Sequence, residues 1–390
     1  MNIKKITLGI MLATSPLMFS SELIAKETSD LRMVFSQEIW EENQDNKLAQ
    51  FYIAEQRFKA DDYSSALKWY IKSANSGFKS AVDNAKIMID NGLGVKNNMD
   101  EVVDFLSREG LENNDLFSQM YLGDVYRDGR YKKDYERSFF WYSKAAMQGE
   151  PRAEYYIANM SVAGIGTPQN VPRGVRLLEK VAETNHMGAV YNLGKIFKRG
   201  FNVNQNHKEA VKWFSLNAER GHVESMYELA DSYEKGFGVE RSYADALEWY
   251  ELAGVHNHVK AMHRAGMIHI LNREVSDEFR FTRGLEWLDK AANRGNVESQ
   301  LRLGDMYYSG KEGVVKDYQI AEKYYKMAAD AGEQIAYKKL TFLYREGGYG
   351  IQRDDELYEK YLEKYYTYEP DLLKEPKDRL NLFNYNIFDF

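Results

Sequence analysis

Large apolar residues recur along this chain at a fixed spacing. Trp69, Phe105, Trp141, Leu177, Trp213 and Trp249 stand 36 residues apart, and Trp287, Tyr324 and Tyr361 continue at steps of 38, 37 and 37. A period of tens of residues marks one supersecondary unit stacked many times, each unit too small to bury a core alone. A single closed core stops growing at about 250–300 residues. A stack escapes that limit, so the 390 residues read as one elongated array.

The unit itself is legible around each anchor. Three positions earlier stand Ala66, Val102, Ser138, Gly174, Ala210, Ala246, Gly284 and Ala321. One position later come Tyr70, Leu106, Tyr142, Leu178, Phe214, Tyr250, Leu288 and Tyr325, and five later Ala74, Gly110, Ala146, Ala182, Ala218, Gly254, Ala292 and Ala329. These offsets are four apart and form one row on a helix, small–bulky–small, which lets a neighbouring helix approach while the bulky member fills the groove. The anchors read as packed between repeats; Trp249, for one, is expected to fill space between repeats six and seven. Eight residues after each anchor stand Gly77, Asn113, Gly149, Asn185, Gly221, Asn257, Gly295 and Gly332, the residue types that close helices in the left-handed conformation. A second punctuation, the glycine bends at Gly92/Gly94, Gly164/Gly166, Gly200/Asn202, Gly236/Gly238 and Gly310/Gly313, separates the two helices of a unit. Each unit is helix, bend, helix, tight turn.

These residues resemble the Sel-one-like repeat, a longer relative of the tetratricopeptide. Leu122-Gly123, Tyr126 and Gly129, then Trp141-Tyr142, Lys144-Ala145-Ala146 and Gly149 carry the motif, and Leu303-Gly304, Tyr307, Tyr324-Tyr325, Ala328-Ala329 and Gly332 repeat it. The resemblance covers residues 47–366. It implies an all-α, right-handed superhelical α/α solenoid of about nine helix-turn-helix repeats of 36–38 residues. Two repeats depart from the motif: Phe105-Leu106 and Gly110 stand in repeat two for the Trp-Tyr and Ala positions, and Arg273–Phe281 replaces the bend of repeat seven. Either is a local kink or a place where a partner engages.

The first 25 residues read as a secretory signal: Lys4 and Lys5, an apolar stretch from Ile6 to Phe19 too short to span a membrane, and a short region ending at Ala25. The expected location is the periplasm, with secretion the alternative. The mature chain shows no membrane-spanning segment. There is no cysteine, hence no lipid-attachment thiol and no disulfide framework. Residues 26–46, with Met33, Phe35, Ile39 and Trp40 at near-helical spacing, read as an N-terminal capping helix, and 367–390 as a C-terminal cap or tail. A net charge of −7 argues against nucleic acid, whose phosphates need a basic surface, and suits a basic protein partner.

No reactive constellation emerges. The glycine bends lack the Lys-Ser/Thr or strand-to-helix context of a phosphate loop and recur in register as turns. His256, His258, His263 and His269 lie close in sequence, but His263 and His269, six apart on a helix, cannot share a face, so the reading is surface and packing histidines, with no metal and no other cofactor. Asp124, Asp231 and Asp305 sit at matching points of different repeats, which spreads them along the array rather than into one cleft.

Binding is the default function of such a stack, and first helices commonly line its concave side. The positions that vary there are Tyr121, Tyr156, Asn192, Glu228, Arg264 and Arg302, and, three residues on, Asp124, Asn159, Lys195, Asp231, Met267 and Asp305. Tyr and Arg are frequent energetic anchors, which favours the two ends of this stripe. The expectation is a non-catalytic scaffold or adaptor of the cell envelope. The resemblance also implies an alternative, an immunity protein that neutralises a secreted toxin; a cell-wall hydrolase is the remaining reading.

Overall fold

The computed structural model describes residues 46–95, 99–200, 203–272 and 279–368. Among them are eighteen helices and no strand beyond an isolated bridge between Gly348 and Ile351. The expected export segment, the expected capping helix before Asn46, most of the replaced bend of repeat seven and the tail after α18 lie outside the described residues. The helices fall into two compact units divided between Thr184 and Asn185. The first holds α1 (Lys47–Lys59), α2 (Tyr63–Asn75), α3 (Lys79–Asp90), α4 (Met99–Glu112), α5 (Leu116–Asp128), α6 (Tyr135–Met147), α7 (Pro151–Ala163) and α8 (Val171–Glu183). The second holds α9 (Met187–Arg199), α10 (His207–Ala218), α11 (Val223–Lys235), α12 (Tyr243–Val255), α13 (Val259–Leu271), α14 (Arg280–Asn293), α15 (Val297–Ser309), α16 (Tyr318–Asp330), α17 (Gln334–Glu346) and α18 (Asp355–Tyr368). Apart from α3 and α4, odd- and even-numbered helices pack as pairs within each unit, and each even-numbered helix packs on the odd-numbered helix that follows it, the α/α solenoid pattern. No helix among the described residues is long and apolar enough to cross a membrane.

Capping explains the boundaries. Six of the second helices start at Asp62, Asp134, Asn170, Asn206, Ser242 and Asp317, whose side chains each accept the N–H three residues on. First helices α5, α7, α9, α11 and α15 close on a left-handed glycine. The tight turns between repeats take positive φ at Gly77, Gly149, Asn185, Gly221, Asn257, Gly295 and Gly332. Repeat two differs from expectation: α4 runs one residue further, and Asn114 rather than Asn113 takes the left-handed conformation.

The core sits one residue away from the anchors. Tyr142, Leu106, Leu178, Phe214, Tyr250 and Leu288 are fully buried, with Tyr70 and Tyr325 close behind. Their partner is the first helix of the same pair: a Cβ on Gly123 would stand 2.5 Å from the Tyr142 ring, and Gly194 and Gly304 lie equally hard against Phe214 and Tyr325. That approach is why glycine follows leucine in the motif. Among the anchors only Trp141 and Tyr324 are buried; Trp69, Phe105, Leu177, Trp213, Trp249, Trp287 and Tyr361 keep an edge in solvent. Successive helical residues point 100° apart, so only one can face its own pair squarely. The anchor ring turns instead to the preceding repeat. A Cβ on Gly110 would meet Trp141 at 2.9 Å, and one on Gly254 would meet Trp287 at 2.8 Å. The contact expected of Trp249 toward repeat seven therefore runs opposite to the direction seen at both of these anchors.

The bends are joints as well as turns. Gly94, Gly166 and Gly238 have positive φ and press against the backbone carbonyls of Tyr63, Tyr135 and His207, the first residues of α2, α6 and α10 in the preceding repeats. A Cβ at any of them would overlap that carbonyl.

Candidate interaction face on the first helices

The stripe read from the sequence lies on α5, α7, α9, α11, α13 and α15, and its members are tied to neighbours rather than projecting freely. Tyr121 is buried, its hydroxyl donating to Asp90 at 2.7 Å and its ring stacked on Phe117. Asp124, also buried, accepts from the Tyr142 hydroxyl at 2.7 Å and pairs with Arg127 at 3.2 Å and with Lys86 of α3 at 3.8 Å. Tyr156 is half-buried, stacked on Tyr142 at 4.6 Å, with the Arg127 guanidinium over its ring at 4.4 Å. Asn159 donates to the Tyr155 carbonyl, and Asn192 is half-buried.

In the second unit the stripe becomes charged. Glu228 takes Lys195 at 3.4 Å and Lys198 at 2.7 Å, and Asp231 takes Lys198 at 2.6 Å and Lys235 at 2.6 Å. Arg264 pairs with Glu234, Met267 packs on the Leu288–Leu303 cluster, and Arg302 reaches Glu312 at 2.5 Å. Asp305 accepts from the Tyr325 hydroxyl at 2.7 Å and from Lys339 of α17 at 2.5 Å. The pattern is a ladder: within each unit a polar side chain of one first helix bonds to the next, from Lys86–Asp124 and Arg127–Tyr156 to Lys198–Asp231, Glu234–Arg264, His263–Ser299 and Lys339–Asp305. Burial works against charge at Asp231, yet its two lysines outweigh that and hold its pKa below the usual carboxylate range. Burial likewise opposes charge at Lys198, but Asp231 and Glu228 keep its pKa above the ordinary lysine value. The phenol of Tyr142 is pushed up by burial and by Asp124.

The structure brings only part of the stripe to one recess. Lys195 and Glu228 line a pocket of about 360 Å³ with Lys198, Arg199, Gln205, His207 and Phe237. The other ten members do not line it.

The histidines do a job the sequence reading missed. His186, His222 and His258, spaced by 36, are the N-caps of α9, α11 and α13; each Nδ1 accepts the backbone N–H three residues on. His222 and His258 also pack on Tyr191 and Tyr227 of the preceding first helix, at 5.1 and 4.6 Å. Their common spacing was the available signal; grouping histidines by nearness in sequence hid it. His263 bonds to Ser299 at 2.8 Å, and His269 is buried against Glu251, which also accepts from Trp287. Among the described residues no three histidines and carboxylates gather to hold a metal.

Comparison with known proteins follows the repeat. The Sel1 repeat model matches seven segments, residues 46–78, 116–150, 151–186, 188–222, 223–254, 259–296 and 297–333, more than half of the chain. Among solved structures, a protective antigen of uropathogenic Escherichia coli displaying an SLR fold is 26% identical, over 84% of this chain and 78% of that one, with a TM-score of 0.48. A Sel1 repeat protein from Oxalobacter formigenes is 24% identical over 72% and 99%, TM-score 0.49. An immunity protein from Pseudomonas aeruginosa is 21% identical over 57% and 84%, TM-score 0.31. No curated protein matches.

Proposed function

The chain belongs to the Sel1 repeat family, and from that premise we propose that it is a non-catalytic scaffold or adaptor of the cell envelope, binding a protein along its first-helix face. Sel1 repeats typically bind proteins, and a repeat stack offers many side chains in register rather than one reactive cleft. The observation that carries the reading is the ladder. Ion pairs and tyrosine–carboxylate bonds hold long side chains in place before any partner arrives, so binding need not spend the entropy of ordering them. The same bonds occupy Asp124, Asp231 and Asp305, the carboxylates that an acid–base mechanism would need free.

Periplasmic residence is part of the proposal and rests on the signal-like first 25 residues. Its test is fractionation of cells expressing the full-length chain with a C-terminal tag, with the processed N-terminus read by mass spectrometry. The partner is sought in the same cells by cross-linking and tag capture. A single stoichiometric partner that is itself a toxin would narrow the adaptor to an immunity protein. A folded, exported chain that captures nothing would overturn the scaffold reading.

A further inference from the structure

The pocket between α9, α11 and two bends inverts the sign of the chain around it. Its lining carries three cations, Lys195, Lys198 and Arg199, against one carboxylate, Glu228. The second acid on Lys198, Asp231, is matched by Lys235, so the local surplus stays at two positive charges in a chain of net −7. The three cations are not equally committed. Lys198 is tied to two carboxylates at 2.7 and 2.6 Å. Lys195 is held more loosely, by Glu228 at 3.4 Å and over the Tyr191 ring at 5.6 Å. Arg199, in the last turn of α9, is exposed and makes no ion pair among the described residues.

The rim is aromatic. Phe237, from the bend after α11, stacks on His207 of α10 at 4.8 Å with the rings 15° apart, and 41% of Phe237 stays exposed. Gly238 beside it presses on the His207 carbonyl, which holds this wall in place. A recess with two underused cations, one of them a guanidinium able to take a carboxylate in two bonds, beside a fixed apolar ring, fits an acidic side chain followed by an apolar one.

We propose that this pocket receives an acidic, aromatic-containing segment of a protein partner, with a carboxylate seated on Lys195 and Arg199 and an apolar side chain against Phe237. The proposal rests on the scaffold reading and gives its partner a sign. It also departs from the basic partner expected from net charge: the bulk of the chain repels acidic polymers in general, and the local inversion selects a segment that presents its charge at one place. Lys198, bound into the ladder, stays where it is and offsets the charge of Glu228, which lines the same pocket, and of Asp231 toward the incoming acid.

The test is fluorescence anisotropy with the full-length chain and a fluorescein-labelled ten-residue peptide of glutamates flanking a central phenylalanine. Controls are the same peptide with glutamine for glutamate, one with alanine for phenylalanine, and a labelled ten-nucleotide dT strand. The acidic peptide is expected to bind, to weaken at least tenfold in the Lys195→Ala/Arg199→Ala variant and severalfold in Phe237→Ala, and to weaken with added salt. Circular dichroism confirms that the variants remain helical. Equal binding of the glutamine peptide, tighter binding of the dT strand, unchanged affinity in the double variant, or no peptide binding at all would each overturn the proposal. The scaffold reading is separable: a cross-linked partner still captured by the double variant sinks this pocket and leaves the scaffold, whereas a folded chain that captures nothing sinks both.

Discussion

Tyr250 and its neighbour Trp249 test which column of the repeat forms the core. Tyr250 is fully buried between α12 and α11, while Trp249 keeps an edge in solvent. An aromatic side chain of this kind buries about 150 Å², which at about 25 cal/mol/Å² is roughly 4 kcal/mol. Aromatic-to-alanine changes in cores cost about 3–5 kcal/mol, so Tyr250→Ala is expected in that range. The lost hydroxyl adds little, because Glu234 keeps Arg264 as a partner when Tyr250 is gone. Tyr250→Phe isolates that hydroxyl and is expected to cost about 1 kcal/mol. Trp249→Ala removes a ring that keeps only an edge in solvent but is less buried than Tyr250, and is expected to cost about 2 kcal/mol. Stability in a repeat stack is a sum of local terms, so the loss should appear first in α11 and α12. Hydrogen exchange read by mass spectrometry on peptides from those helices, alongside urea unfolding followed by circular dichroism, measures both. The expected order is Tyr250→Ala, then Trp249→Ala, then Tyr250→Phe. A larger loss of protection in Trp249→Ala than in Tyr250→Ala would refute the assignment of the core.

Three further outcomes follow from the geometry. Burial holds His222 and His258 below the ordinary histidine pKa, so as pH falls under about 6.5 the unfolded chain takes up protons first. Stability is then full above that pH and declines toward the lower folded-state values; thermal melts from pH 7.5 to 5 should show the fall, and a His222→Asn/His258→Asn variant, which keeps a capping acceptor, should shrink it to the share of His263, which burial also holds low. An unchanged slope in that variant would remove the caps as its cause. Gly221 and Gly238 both have positive φ, but a Cβ at Gly221 meets nothing within 4 Å whereas one at Gly238 overlaps the His207 carbonyl. Gly221→Ala is expected to cost about 1 kcal/mol and Gly221→Asn less, since asparagine already serves at Asn185 and Asn257; Gly238→Ala should cost more than either in urea unfolding. Asp231→Asn weakens the hold on both Lys198 and Lys235 and is expected to lower stability by about 1–3 kcal/mol; a neutral result would mean the ladder orders side chains without stabilising the stack.

Most of the architecture was readable from spacing because every repeat faces the same steric demand. Gly149 and Asn185 announce a left-handed turn whatever surrounds them, and the small residue at Gly110 or Gly254 announces a close neighbour. Choosing the buried column was harder. The small–bulky–small row marked Tyr250 as a packing position and the period marked Trp249 as another, but burial is decided by the direction of a side chain relative to its paired helix, and only Tyr250 is fully buried. The stripe of first-helix residues was legible as a location and not as a set of contacts. Lys198 finds Asp231 thirty-three positions away, and Tyr142 reaches Asp124 across its own pair, so the partner of each residue lies outside any local pattern. Arg199 and Phe237 were invisible for another reason: one ends a helix, the other sits in a bend, and only the fold brings them to the same recess.

The two glycine punctuations have different tolerances for change in chain length. At the inter-repeat turns Gly77, Gly149, Gly221, Gly295 and Gly332 nothing crowds the backbone, whereas at Gly94, Gly166 and Gly238 the chain is clamped to the helix before it. Extra residues spliced into a clamped bend would shift the register of everything that follows in that repeat, while residues added at an open turn leave both neighbours seated. A gene encoding such a protein can therefore lengthen or shorten by whole repeats cut at the open turns, so that a lineage can alter the reach of the molecule without redesigning any one of its parts.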